Sequence, residues 1–373
     1  MRIVHIIKNI NGGAGIAGCR IHEALVIQGI DSHVFYLEGE SSNSRFLKFT
    51  PSKKNYLSIT LNVISRIFNF SKEISFNIFG YKEIEKSLLL KSADCLHLHF
   101  INGFLNYPTF FKTFAKKKII FTLHDLNFFL GLYYYPGDLP KSTNTIPFQI
   151  NLIFSKIKSS FFNDNIRLIA PSKWMLEESL KYIEPFRVVQ IPNFIKISSK
   201  QSNQITNNLK IKIFFLAEKL TNKRKGVGIL IDAINKIKSD KLDFICAGNS
   251  PINNGKITNL GFLNQSDLKN IYRNCDLVII PSTQENLSNI MLESLSNGTP
   301  VLSFNIGGFS DFINHKSNGF LIDDVSSESL AESLIWISEN ISLLKNRNEI
   351  IYDFKEKLKT KNVINRHLEL YGS

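Results

Sequence analysis

The chain of 373 residues is too long for one ordinary hydrophobic core, which favours two domains. Its 43% hydrophobic and 12% aromatic residues argue against disorder over most of the chain. The net charge of +13 is uneven: residues 1–195 hold 23 basic and 14 acidic side chains (+9), and residues 196–373 hold 22 and 18 (+4). A basic first half fits an anionic partner (nucleic acid, phospholipid or a phosphorylated substrate) or a lysine-rich solvated surface.

The cysteines and the apolar runs predict a reducing, cytoplasmic setting. The cysteines have no C-x-x-C spacing, so we expect buried free thiols and neither a disulfide framework nor a zinc site. They are Cys19, Cys95, Cys246 and Cys275. The first apolar run is too short for a signal peptide and is interrupted by Lys8. No uncharged run approaches the ~20 residues of a membrane span.

Apolar, strand-like runs alternate with helical patterns through residues 1–195, as in the βα units of parallel sheets. Helices are expected between the strands, for example after Gly15 and over SKWMLEESLKY. The predicted strands are RIVHIIK, SHVFYL, CLHLHF, KIIFTLH and IRLIAPS.

A glycine-rich stretch, NGGAGIAG (residues 11–18), follows the first predicted strand. Gly13-x-Gly15-x-x-Gly18 has the spacing of the dinucleotide fingerprint, and Glu38 lies where a ribose-binding acid is expected. In that fingerprint the first glycine follows the strand directly. Here the residues KNIN separate Ile7 from Gly12, and this spacing argues against NAD binding. Glycines also let backbone N–H groups approach phosphate or sugar oxygens at a helix N-terminus. A glycine turn without a ligand is the third interpretation.

Two other features of the first half, a pair of histidines and two aromatic, lysine-containing segments, each allow two interpretations. His97 and His99 share one face of a predicted strand, so they either face a cleft or are satisfied core histidines. A metal site would need further ligands, and none is near in sequence. Residues 65–90 and 147–162 mix aromatic residues with lysines, as in helices on an anionic membrane or in core packing with a solvated back. No nucleic-acid-binding motif accompanies the charge, so no nucleic acid partner is expected.

The second half repeats the alternation of strands and helices after a polar stretch. Residues 196–210 lack apolar periodicity and are the predicted linker. A second Rossmann-like domain is predicted over residues 211–354. A basic helix is predicted over residues 355–373, and we expect it to pack back on the first domain. The predicted fold class is therefore α/β, with two Rossmann-like domains facing across a cleft in which ligands collect.

A basic turn, AEKLTNKRKGVGILIDAI, opens the second domain. A strand is predicted to end near Leu216 and a helix to begin around Gly226. Lys219 and Lys225 flank the turn at the helix N-terminus, where two cations and N-terminal amides favour a diphosphate. A solvated basic loop is the alternative.

Two carboxylates follow the predicted strand DLVIIPS (residues 276–282). Glu285 lies on the loop above the sheet, and Glu293 lies about one turn into the next helix. One acid can therefore reach the sugar of a ligand while the other binds its far end. Ordinary surface charge is the alternative.

Together these motifs resemble the retaining glycosyltransferases of the GT-B fold, specifically glycosyltransferase family 4, in the branch that builds bacterial cell-surface polysaccharides. The resemblance covers nearly the whole chain. It rests on Glu285-x7-Glu293, on the K-x5-K-G turn, and on NGGAG, HLHFINGF, FTLHD, APSKWM and IPNFI. Lys219 stands where the family usually has Arg, which gives up bidentate phosphate geometry. The aromatic loop at residues 127–141 lacks the cysteines of some relatives, so acceptor preference does not carry over.

For the second domain, the resemblance implies a donor site. Glu293 would bind the ribose hydroxyls of the nucleotide. Glu285 would bind the donor sugar, alongside the backbone amides of Asn286 and Leu287.

The remaining matched residues would hold the phosphates and enclose the sugar. Lys219 and Lys225 would bind the diphosphate and stabilise its departure. Gly13 and Gly15 would close over the donor from the first domain, and His124 would line the sugar pocket. The implied catalytic candidates are therefore His124, both lysines and the loop carboxylate.

The implied reaction transfers a hexose, with retention, from a nucleotide-diphosphate sugar to a growing glycan of the surface-polysaccharide or O-antigen type. Lysines and helix amides stabilise the leaving diphosphate without a metal, and no D-x-D pair follows a predicted strand. We therefore expect no metal and no cofactor beyond the donor. A lipid-diphosphate-linked acceptor would bring the enzyme to the inner face of an anionic membrane as a peripheral protein. An NAD-type oxidoreductase and a catalytically silent nucleotide-sugar binder are the alternatives.

Overall fold

The computed structural model describes residues 1–52, 60, 78–143, 145–197, 210–216, 222–248, 252, 254–358 and 360–372, without the side chains of 360 and 361. The chain divides into two compact units. The first comprises Met1–Phe194 with Lys361–Ser373, and the second comprises Ile195–Thr360. Most of the predicted linker (198–209), much of the aromatic segment at 65–90, and Lys219 lie outside the described residues.

The strands and helices alternate along both units. The strands are β1 (Arg2–Asn9), β2 (Asp31–Glu38), β3 (Phe46–Lys48), β4 (Cys95–His99), β5 (Lys118–Thr122), β6 (Ile166–Ala170), β7 (Val188–Gln190), β8 (Ile211–Leu216), β9 (Leu242–Ala247), β10 (Ile257–Asn259), β11 (Leu277–Ile280), β12 (Val301–Phe304) and β13 (Gly319–Ile322). The helices are α1 (Gly13–Ile27), α2 (Leu88–Ser92), α3 (Tyr107–Thr113), α4 (Asn127–Leu130), α5 (Ile146–Ser159), α6 (Lys173–Ser179), α7 (Val227–Lys236), α8 (Gln265–Asn274), α9 (Asn289–Ser296), α10 (Ser327–Asn340), α11 (Arg347–Leu358) and α12 (Thr360–Gly372).

Each unit is built on one parallel sheet. The strand order is β3-β2-β1-β4-β5-β6-β7 in the first unit and β10-β9-β8-β11-β12-β13 in the second. In each sheet the chain first adds strands on one side of its first strand and then returns to the other side. The carboxyl ends of β1 with β4, and of β8 with β11, are therefore topological switch points, where open α/β sheets bind ligands. The predicted fold class, two Rossmann-like α/β domains, is confirmed.

The central strands are nearly continuous apolar runs because helices cover both faces of a parallel sheet. Every residue of β4, β11 and β12 is buried. The five strands predicted in the first half correspond to β1, β2, β4, β5 and β6. The edge strands β3 and β7 were not predicted, since three residues are too few to show an alternating pattern.

The end of β1 corrects one expectation from the sequence. The strand continues through Lys8 and Asn9, so only Ile10–Gly12 separate it from α1. The objection that a long excursion precedes the glycines was therefore wrong. Polar residues continue this strand because Asn9 still pairs in register with Glu38 of β2.

The C-terminal residues form two helices where one was predicted. Residues 355–358 belong to α11, within the second unit, and α12 follows in the first unit. Tyr371 of α12 is buried, and its hydroxyl lies 2.7 Å from His97 Nδ1 of β4. Lys118 Nζ donates to the carbonyl oxygen of Tyr371 at 3.2 Å. The last helix is thus bonded to two neighbouring strands of the first sheet.

All four cysteines are free. Three are buried, as expected, but Cys19 of α1 is only half-buried and packs at the edge of a small cluster formed by Ile7, Ile10, Val34 and Tyr36. Burial raises the pKa of Cys95 and of Cys275 to about 12, so both stay protonated and unreactive at neutral pH. No helix in the described ranges combines the length and apolar character needed to cross a membrane.

Candidate functional site

The basic turn of the second unit is packed against the loop that follows β11. Lys223–Lys225 form a single 3-10 turn that ends at Gly226, whose φ is 65°. A Cβ at Gly226 would lie 1.7 Å from the carbonyl oxygen of Pro281, so only glycine permits this approach. The backbone N–H of Thr283 donates to the carbonyl oxygen of Arg224 at 2.8 Å. The turns after β8 and β11 are therefore joined through their backbones.

Two predicted catalytic residues meet at this junction. Lys225 Nζ lies 2.9 Å from Glu285 Oε2, with the two side chains 35% and 15% exposed. The sequence placed these groups on different parts of a ligand, whereas the structure makes them an ion pair. An ammonium has three donors, so Lys225 can keep this contact and still bind a phosphate oxygen. Lys219, the other predicted cation, lies outside the described residues.

The loop carrying Glu285 is fixed from the next strand as well. Gly307, after β12, has a φ of 53°, and a Cβ there would lie 1.9 Å from the carbonyl oxygen of Glu285. The N–H of Gly308 donates to the carbonyl oxygen of Asn286 at 2.6 Å. Asn286 and Leu287, whose backbone amides are predicted to lie alongside the donor sugar, have buried side chains. The loops after β8 and β12 thus both hold the backbone of the loop that carries this carboxylate.

Glu293 lies on α9, about one turn after the Ser288 side chain that caps this helix at the N–H of Met291. It is 9% exposed, and its Oε2 accepts a hydrogen bond from the Tyr272 hydroxyl at 3.0 Å. Tyr272, on α8, is itself buried and held at its carbonyl oxygen by Arg347 Nη1 at 3.2 Å. One oxygen of Glu293 is thereby oriented.

Sequence reasoning missed Tyr272. Leu268 and Tyr272, four residues apart, signal a buried helix face. Nothing in the sequence indicates that the phenol reaches a carboxylate 21 residues further on.

Some buried polar atoms near this edge have no protein partner in the described part of the chain. They include Ser282 Oγ and Gln284 Oε1, on the same loop as Glu285. Because buried polar atoms are nearly always hydrogen-bonded, such atoms are typical of a site that a polar ligand or water completes.

In the first unit, the glycine stretch allows α1 to begin directly over β1. Gly13 is the first residue of α1, after the N-cap Gly12. A Cβ at Gly15 would lie 1.9 Å from the carbonyl oxygen of Asn9, and one at Gly18 would lie 3.0 Å from the ring of His99. Contact with the backbone of β1 therefore requires glycine at position 15 whatever ligand binds, whereas a Cβ at Gly18 would press on the side chains of Ile7 and His99. Glu38, the acid of the dinucleotide interpretation, accepts a hydrogen bond from Asn9 Nδ2 at 3.2 Å.

The two histidines of β4 have different environments. Both ring nitrogens of His97 have hydroxyl partners at 2.7 Å, those of Tyr371 and Thr122, so it is a satisfied core histidine. His99 Nδ1 lies 3.3 Å from Nε2 of His124, and His99 Nε2 lies 3.1 Å from Nδ1 of His5. The predicted pocket residue His124 is thus attached to a buried histidine.

His5 was also missed by sequence reasoning. It lies on β1 opposite His97 in the sheet register, and one ring nitrogen from each of His5, His97 and His99 lies within 4.8 Å of the others. No further histidine lies near His97 and His99 in the sequence, but the fold brings His5 close to both. Burial lowers the pKa of each of the three well below the usual histidine value, so all three are neutral at neutral pH.

Comparison with known proteins agrees with this architecture. Residues 210–340 match the family described as Glycosyl transferases group 1. An uncharacterized 41.2 kDa protein in the cps region of Klebsiella pneumoniae is 22% identical over 100% of both chains. An uncharacterized glycosyltransferase of Methanocaldococcus jannaschii is 30% identical over 149 residues, which are 36% of this chain and 37% of the relative. The crystal structure of Anabaena HepE in complex with UDP-glucose superimposes with a TM-score of 0.70 at 15% identity and covers 99% of both chains. The chain therefore has the GT-B fold of glycosyltransferases, and residues 210–340 of its second unit are similar to the glycosyl transferases group 1 family.

Proposed function

We propose that the protein is a retaining hexosyltransferase that moves a sugar from a nucleotide-diphosphate donor to a growing glycan. The observation that carries the proposal is the 2.9 Å contact between Lys225 and Glu285 at the β8/β11 switch point, with Glu293 on the adjoining helix. A nucleotide sugar needs a cation for its phosphates, a carboxylate for its sugar and another for its ribose. The group 1 match over this region and the UDP-glucose bound by Anabaena HepE support this donor class.

Glu293 is suited to the ribose of the nucleotide. One of its oxygens accepts from Tyr272, and the ionised carboxylate keeps further lone pairs for two vicinal hydroxyls. Because Tyr272 donates to this oxygen and carries no charge, it orients the carboxylate without forming an ion pair with it. A hydrogen bond to such a charged acceptor contributes roughly 1.5–3 kcal/mol.

Lys225 is suited to the leaving diphosphate. Breaking the sugar–phosphate bond builds negative charge on the diphosphate and positive charge on the sugar. The ammonium, fixed next to the Glu285 carboxylate, stabilises the first charge, while the carboxylate lies beside the second. We propose that this paired arrangement, with Lys219, makes the transfer metal-independent and free of any other cofactor.

The acceptor side is assigned to the first unit. Residues 1–195 carry a charge of +9. Helix α5 exposes Ile146, Leu152 and Ile153 (68%, 40% and 56% exposed) on the same helix as the exposed Lys156. Exposed apolar side chains beside a lysine, on a unit with this net charge, suit an anionic lipid surface. We therefore propose a cytoplasmic, peripheral enzyme with a lipid-diphosphate-linked acceptor of the surface-polysaccharide or O-antigen type.

A binding and turnover screen tests the proposal. A nucleoside diphosphate at 100 times its dissociation constant stabilises a protein by about 2.7 kcal/mol, so UDP, GDP and ADP are compared with NAD by thermal shift. We expect at least one diphosphate to stabilise the protein and NAD to have no effect. Stabilisation by NAD alone would refute the donor class. Nucleotide binding with neither transfer nor donor hydrolysis, across UDP- and GDP-sugars, would indicate a silent binder.

A further inference from the structure

Three histidines of the first unit form a continuous chain of ring-to-ring contacts. His5 Nδ1 lies 3.1 Å from His99 Nε2, and His99 Nδ1 lies 3.3 Å from His124 Nε2. His5 and His99 are fully buried, whereas His124 is partly exposed. The chain therefore leads from the core of the sheet to its carboxyl edge.

The ring of His99 has little freedom to turn away. Gly18 of α1 lies against it so closely that a Cβ would be 3.0 Å from two of its ring carbons. On the same strand face, the rings of His97 and His99 have centroids 4.1 Å apart. The helix above and the neighbouring ring beside it keep both nitrogens of His99 directed at their histidine partners.

The hydrogen bonds that link the three histidines have a direction, because each neutral ring carries one proton. Burial lowers the pKa of His124 to about 4 and the pKa values of His5 and His99 well below the ordinary histidine value, so all three are neutral at neutral pH. His5 Nε2 has no hydrogen-bond partner among the described residues. Buried N–H groups without an acceptor are rarer than buried acceptors without a donor. The proton of His5 is therefore best placed on Nδ1, from which it donates to His99.

The rest of the chain follows from this first placement. His99 accepts at Nε2, so its own proton sits on Nδ1 and is donated to His124 Nε2. His124 accepts at Nε2, so its proton sits on Nδ1, the ring nitrogen left for a ligand.

We propose that His5 and His99 are positioning residues that hold His124 in the Nδ1–H tautomer, so that it offers a sugar hydroxyl a hydrogen-bond donor and not a lone pair. His124 lines a small cavity together with Asp125, Asn102 and Tyr107. A donor next to a carboxylate acceptor matches the two-way hydrogen bonding of a sugar hydroxyl. This assignment of a ligand rests on the proposed function, whereas the tautomer does not.

A metal ion on His5, His97 and His99 is the competing use of the same cluster. It would require His97 to break a 2.7 Å hydrogen bond to Tyr371 or to Thr122. The hydrogen-bonded chain leaves those contacts intact and for this reason is the better account of the geometry.

Nuclear magnetic resonance of the full-length protein reports the tautomer of His124 directly. With ¹⁵N-labelled histidine, two-bond couplings distinguish Nδ1–H from Nε2–H, and His124→Gln identifies the signal. We expect His124 as Nδ1–H in the wild type. His99→Asn, whose amide can donate near the former Nδ1, should retain that state, and His99→Leu should lose it. His22→Leu is the matched control, because His22 is also buried and its ring packs edge-on against His5 at 6.1 Å between centroids, but its Nδ1 bonds Ser32 at 2.8 Å.

The outcomes separate this inference from the proposed function. An Nε2–H His124 in the wild type would overturn the inference even if neither His99 variant folds. Stoichiometric Zn²⁺ uptake by the wild type that is lost in His5→Leu would also overturn it. Failure of glycosyl transfer alone would leave the tautomer result standing. Where transfer is measurable, His99→Leu should lower kcat/KM roughly tenfold, and His99→Asn should restore most of it.

Discussion

Two glycines, two residues apart, should respond to alanine in opposite directions. Gly226 has a φ of 65°, and a Cβ there would lie 1.7 Å from the carbonyl oxygen of Pro281. Gly228 lies in the first turn of α7 and would have no heavy atom within 4 Å of its Cβ. The pair therefore compares a glycine required by contact with one that only weakens a helix.

The magnitudes follow from these surroundings. For Gly228→Ala, removal of a helical glycine should stabilise the second unit by about 0.5–1 kcal/mol. For Gly226→Ala, a strained backbone alone costs about 1–3 kcal/mol, and the contact with Pro281 adds to this, because no Cβ tolerates such a distance. The turn must shift, and Lys225 shifts with it away from Glu285.

Thermal unfolding and calorimetric nucleotide titration measure both effects. For a unit of this size, Gly228→Ala should raise Tm by about 1–4 °C without changing the affinity for the nucleoside diphosphate. Gly226→Ala should lower Tm by more than about 4 °C and weaken that affinity. If Gly226→Ala unfolds and binds like the wild type, the turn does not pack on the β11 loop as described.

Further predictions concern the site and the first unit. Glu293→Ala should weaken nucleoside diphosphate binding by roughly 1.5–3 kcal/mol, while Glu285→Ala should leave affinity unchanged or raised, because it frees Lys225, and depress turnover; equal losses in calorimetry would contradict this assignment. Lys225→Ala should reduce turnover by more than about 100-fold, whereas EDTA should not reduce it; loss of activity in EDTA, restored by Mn²⁺, would reveal a metal requirement. Flotation should show binding to anionic vesicles at low salt that is largely lost near ~0.5 M and weakened by Ile153→Asp; no binding at low salt would favour a soluble acceptor. Burial lowers the pKa of His22 to about 4 from 6.5, so the unfolded chain binds the proton first and stability should fall as pH drops from 6.5 to 4; a flat stability over that window in denaturant titrations would contradict the buried, neutral histidines.

The lysine run at residues 116–118 is another basic surface segment of the first unit, but it is less suited to the vesicle test than α5. Lys116 is exposed, but Lys117 donates to the carbonyl oxygen of Ala93 at 2.5 Å and Lys118 to that of Tyr371 at 3.2 Å. Replacing the run would therefore disturb the first unit itself. From the sequence, all three are simply basic residues before a strand.

Local sequence patterns predicted most of the architecture, because apolar periodicity and turn residues can be recognised from a few neighbouring positions. The start of α7 after Gly226 and the place of Glu293 within α9 both follow from such patterns. The ends of strands were harder to predict from the sequence. In β1, for example, the polar Asn9 remains in the sheet because it pairs with a residue of β2.

The contacts that define the candidate site could not be predicted in the same way. Lys225 and Glu285 are 60 residues apart, and His5 and His99 are 94 apart. Which side chains meet depends on strand order, and β11 inserts beside β8 only after β9 and β10 have been added on the other side. Strand order is set by the packing of the whole unit, so a single sequence offers no local signal for it.

The return of α12 to the first sheet affects how this protein is made. During synthesis, residues 1–194 leave the ribosome well before residues 361–372, so the nascent first unit lacks the Tyr371 hydroxyl that bonds His97. Until the second unit has been translated, the surface that α12 will cover stays open on the growing chain. An expression fragment ending at residue 194 would keep that surface open permanently. An isolated first unit with its complete sheet therefore requires residues 361–372 joined to residue 194 through a linker, and the second unit is in effect a folded insertion within the first.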